Sequence, residues 1–80
     1  MTTDSLVNDV ISVITSVLVI PADTIRLTHN VVDDLQLDSL DVVDLVLHLE
    51  DRFDIVISDE SFESWETVQD IVNTVSSKLP

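Results

Sequence analysis

From Leu6 to Leu18 the apolar residues Leu6, Val7, Val10, Ile11, Ile14, Val17 and Leu18 return at spacings of three and four, as on the buried face of a helix. Thr2, Thr3 or Asp4 can cap its start, and Pro21 closes it. Many of these residues are β-branched, so the helix draws on tertiary packing more than on its own propensity, and Val17 to Ile20 is compatible with a short strand. Pro21 to Leu37 form a long connection. Its Ile25, Leu27, Val31, Val32, Leu35 and Leu37 are too apolar for a free linker, so this loop is expected to pack on the core.

The helical period resumes from about Ser39 to Phe53, with Asp38 as N-cap and Asp41 in the third helical position, where free amides and the helix dipole favour a carboxylate. Beyond Ile55, Val56 and Ile57, the stretch Ser58-Asp59-Glu60-Ser61-Phe62 offers caps for a short third helix. Thr67-x-x-Asp70 then opens a stripe of Val68, Ile71, Val72, Val75 and Leu79, and Pro80 follows. The pattern predicts an all-α fold: a small four-helix bundle of three longer helices and one short helix, with a long packed loop between the first two. No repeat or linker divides residues 1–80, which read as a single domain.

Glycine is absent. Positive-φ turns must therefore use Asn30, Asp54 or another tolerant residue. A P-loop, a dinucleotide fingerprint and an EF-hand loop are excluded, because each needs glycine at fixed positions. At 80 residues with no cysteine, the chain buries only ~60–65% of its unfolded surface and depends on packed aliphatics for stability. The apolar runs are too short to span a bilayer, which argues against membrane insertion. No basic leader precedes an apolar stretch, so a cytoplasmic, monomeric protein is expected.

Sixteen acidic residues against Arg26, Arg52 and Lys78 give a net charge of -13. That charge disfavours nucleic acid and anionic membrane and favours basic protein surfaces, although acidity also serves solubility alone. Its distribution on the second helix is informative. At 100° per residue Val42, Leu45, Val46, Leu49 and Phe53 share the core face, while Asp41, Asp44, His48 and Asp51 lie opposite. A second apolar line of Leu40, Val43 and Leu47 runs beside the acids. Either the loop covers that line, or it stays open as a docking strip for a partner rich in Arg and Lys.

Ser39 stands between Asp38 and Asp41 at the head of this helix, where a serine is most often a cap. The stretch Leu35-Gln36-Leu37-Asp38-Ser39-Leu40-Asp41-Val42-Val43-Asp44-Leu45-Val46, continuing to Leu49-Glu50-Asp51-Arg52-Phe53-Asp54, closely resembles the acyl carrier protein signature. That signature has Asp-Ser-Leu heading an acidic helix that ends in Glu/Asp-x-Phe. The likeness extends to Val32-Asp33-Asp34-Leu35, Ile57-Ser58-Asp59-Glu60 and Thr67-Val68-Gln69-Asp70.

The resemblance implies that Ser39 is esterified to 4'-phosphopantetheine, taken from coenzyme A by a separate Mg-dependent phosphopantetheinyl transferase. The thiol for a thioester would then come from the cofactor, and the domain would catalyse nothing itself. It would instead present acyl intermediates to fatty-acid, polyketide or other acyl-processing enzymes with basic docking surfaces. The resemblance also implies docking through Asp38, Asp41, Asp44 and Asp51, with Leu40, Val43 and Leu47 as apolar contacts. Val46, Leu49, Phe53, Ile57, Phe62, Trp65 and Ile71 become candidates for an acyl cavity, each with ordinary core as its alternative, and Trp65 is expected to be partly exposed.

Two departures point toward a specialised carrier: Gln36 stands where many relatives have glycine, and the first helix is not basic. A peptidyl or D-alanyl carrier is the nearest alternative, followed by an acidic protein binding divalent cations through Asp33, Asp34, Asp38, Asp41 and Asp44, without the ligand loop of a dedicated metal site. A serine hydrolase is disfavoured. His48 lies about 180° around the helix from Ser39 and ~13 Å along it, His29 could reach only through the loop, and neither an oxyanion site nor a glycine-framed nucleophile turn is evident.

Overall fold

Residues Thr3–Leu18 form helix α1, which buries Val10, Val13 and Ile14 and packs Leu6, Val7, Ile11, Val17 and Leu18 against the same core. The computed structural model describes residues 3–79. Thr3 and Asp4 fall inside α1, so neither is its N-cap, and the alternative cap Thr2 and the terminal Pro80 lie outside the described residues. Helices α2 (Ser39–Phe53), α3 (Asp59–Glu63) and α4 (Val68–Lys78) follow, with one 3-10 turn at Ala22–Thr24. The fold is the expected all-helical bundle. The strand considered for Val17 to Ile20 does not form, because α1 continues through Leu18 and burial of its apolar face outweighs β-branched propensity.

The centre of the bundle is aliphatic. Val10 and Ile14 of α1, Leu45 and Leu49 of α2, and Val68, Ile71 and Val75 of α4 are fully buried, and among the described residues no polar side chain joins them. Each such side chain contributes roughly 1.5–3 kcal/mol through burial. α1 and α2 run antiparallel, with Asp9 reaching Arg52 at 3.4 Å and Ser12 and Ser16 flanking the same cleft as His48 and Asp51. Both partners of the ion pair are about half exposed, so it adds little to stability.

The long loop lies on the core as expected, with Ile25, Val31 and Leu37 buried. Val32 is the exception and faces solvent. Unsatisfied amides at the start of α4 hold the loop in place: Val68 N–H donates to the His29 carbonyl (3.0 Å) and Gln69 N–H to that of Leu27 (3.0 Å). In return Val31 N–H donates to the Glu66 carbonyl at 2.9 Å. Within the loop, Asn30 Oδ1 accepts from Val32 and Asp33, both at 2.8 Å, while Asp34 Oδ2 accepts from Asn30 N–H at 2.7 Å. Asn30 therefore serves through its side chain and not through a positive φ.

The residues that do take positive φ are Val19 (56°), Gln36 (58°) and Asp54 (54°). Asp54 was expected, since it caps α2 in the left-handed region. Val19 is the most strained, being β-branched, and is 86% exposed, so nothing packed compensates. Val19→Gly is expected to raise stability by about 1 kcal/mol, and Gln36→Gly by somewhat less. For Val19→Gly the thermal midpoint should rise by about 4–8 °C, and an unchanged or lower midpoint would refute the assigned backbone.

Asp70 completes the capping box that starts α4. Its carboxylate accepts from Glu66 N–H at 2.9 Å and Thr67 N–H at 3.0 Å. Those amides, Glu66 first and then Thr67, hold its pKa below the ordinary 3.8. A lowered folded-state value means the contribution is fully present above pH 3.8 and fades as pH falls through the folded value. Wild type is expected to exceed Asp70→Asn in stability at neutral pH, with the difference shrinking only below pH 3.8. Denaturant melts of both proteins across the acid range provide the check, and a pH-independent difference would contradict it.

Candidate functional site

The head of α2 is built by a reciprocal cap. Asp38 Oδ1 accepts from Asp41 N–H at 2.9 Å, and Asp41 Oδ2 accepts from Asp38 N–H at 3.3 Å. Asp38 therefore does the capping that a serine often performs, which leaves Ser39 as the first residue of the helix. The Ser39 side chain is exposed, and its hydroxyl has no hydrogen-bond partner among the described residues. The backbone amides of Ser39 and Leu40 also lack acceptors among them, so two free donors and the positive end of the helix dipole lie in the same first turn as that hydroxyl.

Along α2 the two apolar lines divide sharply. Leu45, Val46 and Leu49 are buried and Val42 and Phe53 pack at the core margin, whereas Leu40, Val43 and Leu47 are 79%, 45% and 57% exposed. The loop does not cover the second line. Asp38, Asp44 and Asp51 are also exposed and Asp41 is half-buried, so carboxylates border the open apolar strip. Arg52, the one basic residue in the last turn of α2, is held toward α1 by Asp9.

Ser39 also lies on the lip of a groove of about 320 Å³. Val31, Val32 and Leu37 of the loop form one wall and Val42 and Val43 of α2 another; Phe62, Glu63 and Trp65 stand across from them. Of the seven cavity residues expected from the sequence, only Phe62 and Trp65 reach this groove. Val46, Leu49, Ile57 and Ile71 are buried in the core, and Phe53 packs at its margin. Val31, Leu37 and Val42 line the groove without having been expected to, because the loop's course across the head of α2 leaves no periodic signal in sequence.

Trp65 corrects a further expectation. It is 7% exposed and not partly open. Its indole Nε1–H donates to Thr74 Oγ1 at 2.8 Å, and its ring meets Phe62 edge-on with centroids 6.4 Å apart. An indole can be buried this deeply because its one polar atom is satisfied.

Neither histidine serves Ser39. His48 Nδ1 lies 2.8 Å from the Asp44 carbonyl, and His29 Nδ1 accepts from Arg26 N–H at 3.2 Å in a separate cleft beside Gln36. Among the described residues, no three carboxylate, imidazole or thiol groups converge as a metal site. No described helix is long and apolar enough to cross a membrane.

The family model for a phosphopantetheine attachment site matches residues 8–75. An acyl carrier protein of Petrotoga mobilis is 39% identical over 79 residues, covering 99% of this chain and 93% of that protein. One from Syntrophobacter fumaroxidans is 48% identical over 62 residues, covering 78% and 76%. The structure of a candidate acyl carrier protein from Mycobacterium tuberculosis superposes with a TM-score of 0.85 at 32% identity, over 90% of this chain and 96% of that one. The family-model match spans the chain from α1 into α4, and on these matches the chain belongs to the acyl carrier protein family, whose prosthetic group is a covalently attached 4'-phosphopantetheine.

Proposed function

We propose that Ser39 carries the phosphopantetheine, and that the strip of Leu40, Val43 and Leu47 with Asp38, Asp41, Asp44 and Asp51 is the surface that processing enzymes grip. The observation that carries the reading is the hydroxyl of Ser39: exposed, relieved of capping by Asp38, and without a hydrogen-bond partner among the described residues. The residues fit the group. A phosphodiester on Ser39 would sit at the first turn of α2, where the free amides of Ser39 and Leu40 and the helix dipole favour an anion. The prosthetic group supplies a thiol, which a chain without cysteine lacks.

In this reading the 80-residue chain works as one monomeric carrier domain in the cytoplasm. A phosphopantetheinyl transferase loads it, and fatty-acid, polyketide or other acyl-processing enzymes with basic docking surfaces serve it. The role of the strip rests on the exposure of its leucines beside the acids, since charge speeds encounter and apolar area supplies affinity. No observation favours a peptidyl or D-alanyl cargo.

Intact mass after incubation with coenzyme A, Mg²⁺ and a broad-specificity transferase tests the assignment. The wild type should gain one phosphopantetheinyl group and Ser39→Ala none. Modification of the Ala variant would move the attachment elsewhere.

A further inference from the structure

Val32 departs from the rest of its loop. Val31 before it and Leu37 beyond it are buried, yet Val32 is 59% exposed. A lone exposed valine is ordinary on a protein surface, and Val19 and Val56 are more open still. Position sets Val32 apart. It borders the same groove as Ser39 from the loop, while Val43, also exposed, borders it from α2. Open apolar side chains from two separate elements therefore stand at the attachment point.

The backbone under Val32 is tied down. Val32 N–H and Asp33 N–H both donate to Asn30 Oδ1 at 2.8 Å, Asn30 N–H donates to Asp34 Oδ2 at 2.7 Å, and Leu37 N–H donates to the Val31 carbonyl at 2.9 Å. A turn held at this many points loses little freedom when a partner covers it. Asp33 and Asp34, both exposed, follow Val32 in the chain. The loop thus repeats what α2 shows, an open apolar residue beside carboxylates, and it favours the same basic kind of partner. The chemistry of loading says which partner reaches it. An O–P bond forms at Ser39 Oγ, the pyrophosphate bond of coenzyme A breaks, the hydroxyl proton passes to a base of the transferase, and the nucleotide part leaves. The transferase must therefore bring its active site onto Ser39 itself and cover what borders it. An acyl-processing enzyme meets the thiol at the far end of a long flexible arm, and the α2 strip is enough to seat it.

We propose that Val32, presented by the Asn30 turn, is a contact for the phosphopantetheinyl transferase that acyl-processing enzymes do not use, so that one loop residue tunes loading separately from later docking on α2. The inference rests on Ser39 as the attachment point and deepens that reading by naming the partner that the loop serves.

The test measures KM and kcat of loading for the full chain in its unmodified form, with saturating coenzyme A, Mg²⁺ and a phosphopantetheinyl transferase. Intact mass at the end point is read first. A wild type that takes up no phosphopantetheinyl group overturns the attachment reading and this inference with it, whereas a loaded wild type isolates the loop. For Val32→Ser the loading KM should rise at least about fivefold with kcat unchanged. Val19→Ser makes the same exchange at a more exposed valine outside the groove, and should change neither constant. Once loaded, Val32→Ser should serve an acyl-processing enzyme with the wild-type KM. Asn30→Ala frees the turn and should raise the loading KM as well, and Asn30→Asp, which keeps the acceptor oxygen, should restore it. A wild-type loading KM in Val32→Ser, or an equal rise in Val19→Ser, overturns the proposal. An equal rise with the acyl-processing enzyme overturns the assignment to the transferase, and a wild-type KM in Asn30→Ala overturns the role of the turn.

Discussion

Leu49→Ala is expected to lower stability by about 2–5 kcal/mol, because Leu49 is fully buried in the shared core and the bundle can collapse only partly around the cavity left behind. At about 0.05–0.15 kcal/mol per residue, a chain of 80 residues has only roughly 4–12 kcal/mol in total. The variant should therefore melt about 8–40 °C below wild type, at about 4–8 °C for each kcal/mol. Leu47→Ala, two positions earlier on the same helix, is the internal control. Leu47 is more than half exposed, so its truncation should change stability by no more than about 0.5 kcal/mol. Circular dichroism melts of the two variants compare the faces of α2 directly. Equal losses in both would mean that α2 is rotated from the orientation described.

Truncating the exposed strip should cost function where it spares the fold. For Leu40→Ala combined with Leu47→Ala, kcat/KM of a partner enzyme for the carrier is expected to fall at least about tenfold, since a well-seated apolar contact is worth on the order of 1–2 kcal/mol. Asp44→Lys tests the acids separately. Asp44 lies on the open face, and its carboxylate is 3.8 Å from His48. Reversing its charge should slow association with a basic partner and flatten the salt dependence of the rate, leaving turnover of the bound complex unchanged. Stopped-flow association at several ionic strengths measures both. Wild-type rates and salt slopes in all these variants would mean that partners engage another face.

Much of this architecture was legible in the chain because helices advertise themselves locally. The limits of α2, the Asp38–Asp41 and Thr67–Asp70 boxes and the core stripe of α4 follow from capping chemistry and the 3.6-residue period, both properties of neighbours in sequence. Ser39 stood out through the Asp-Ser-Leu motif in its acidic helix. The glycine that many relatives carry where this chain has Gln36 also finds its reason, since the backbone there has φ 58°.

What the residues could not decide was which apolar side chains would be covered. Leu47 and Leu49 look alike in sequence, and only the way α2 packs into the shared core leaves one open and the other sealed. The same holds for Trp65, whose burial depends on a hydroxyl nine residues away, and for the groove, which arises where the loop, α2 and α3 converge. The sequence alone determined the helices, the N-caps of α2, α3 and α4 and the serine at the head of α2, all local matters of hydrogen bonding and period. Tertiary structure alone determined exposure and the groove, because burial depends on segments far apart in the chain that only packing brings together.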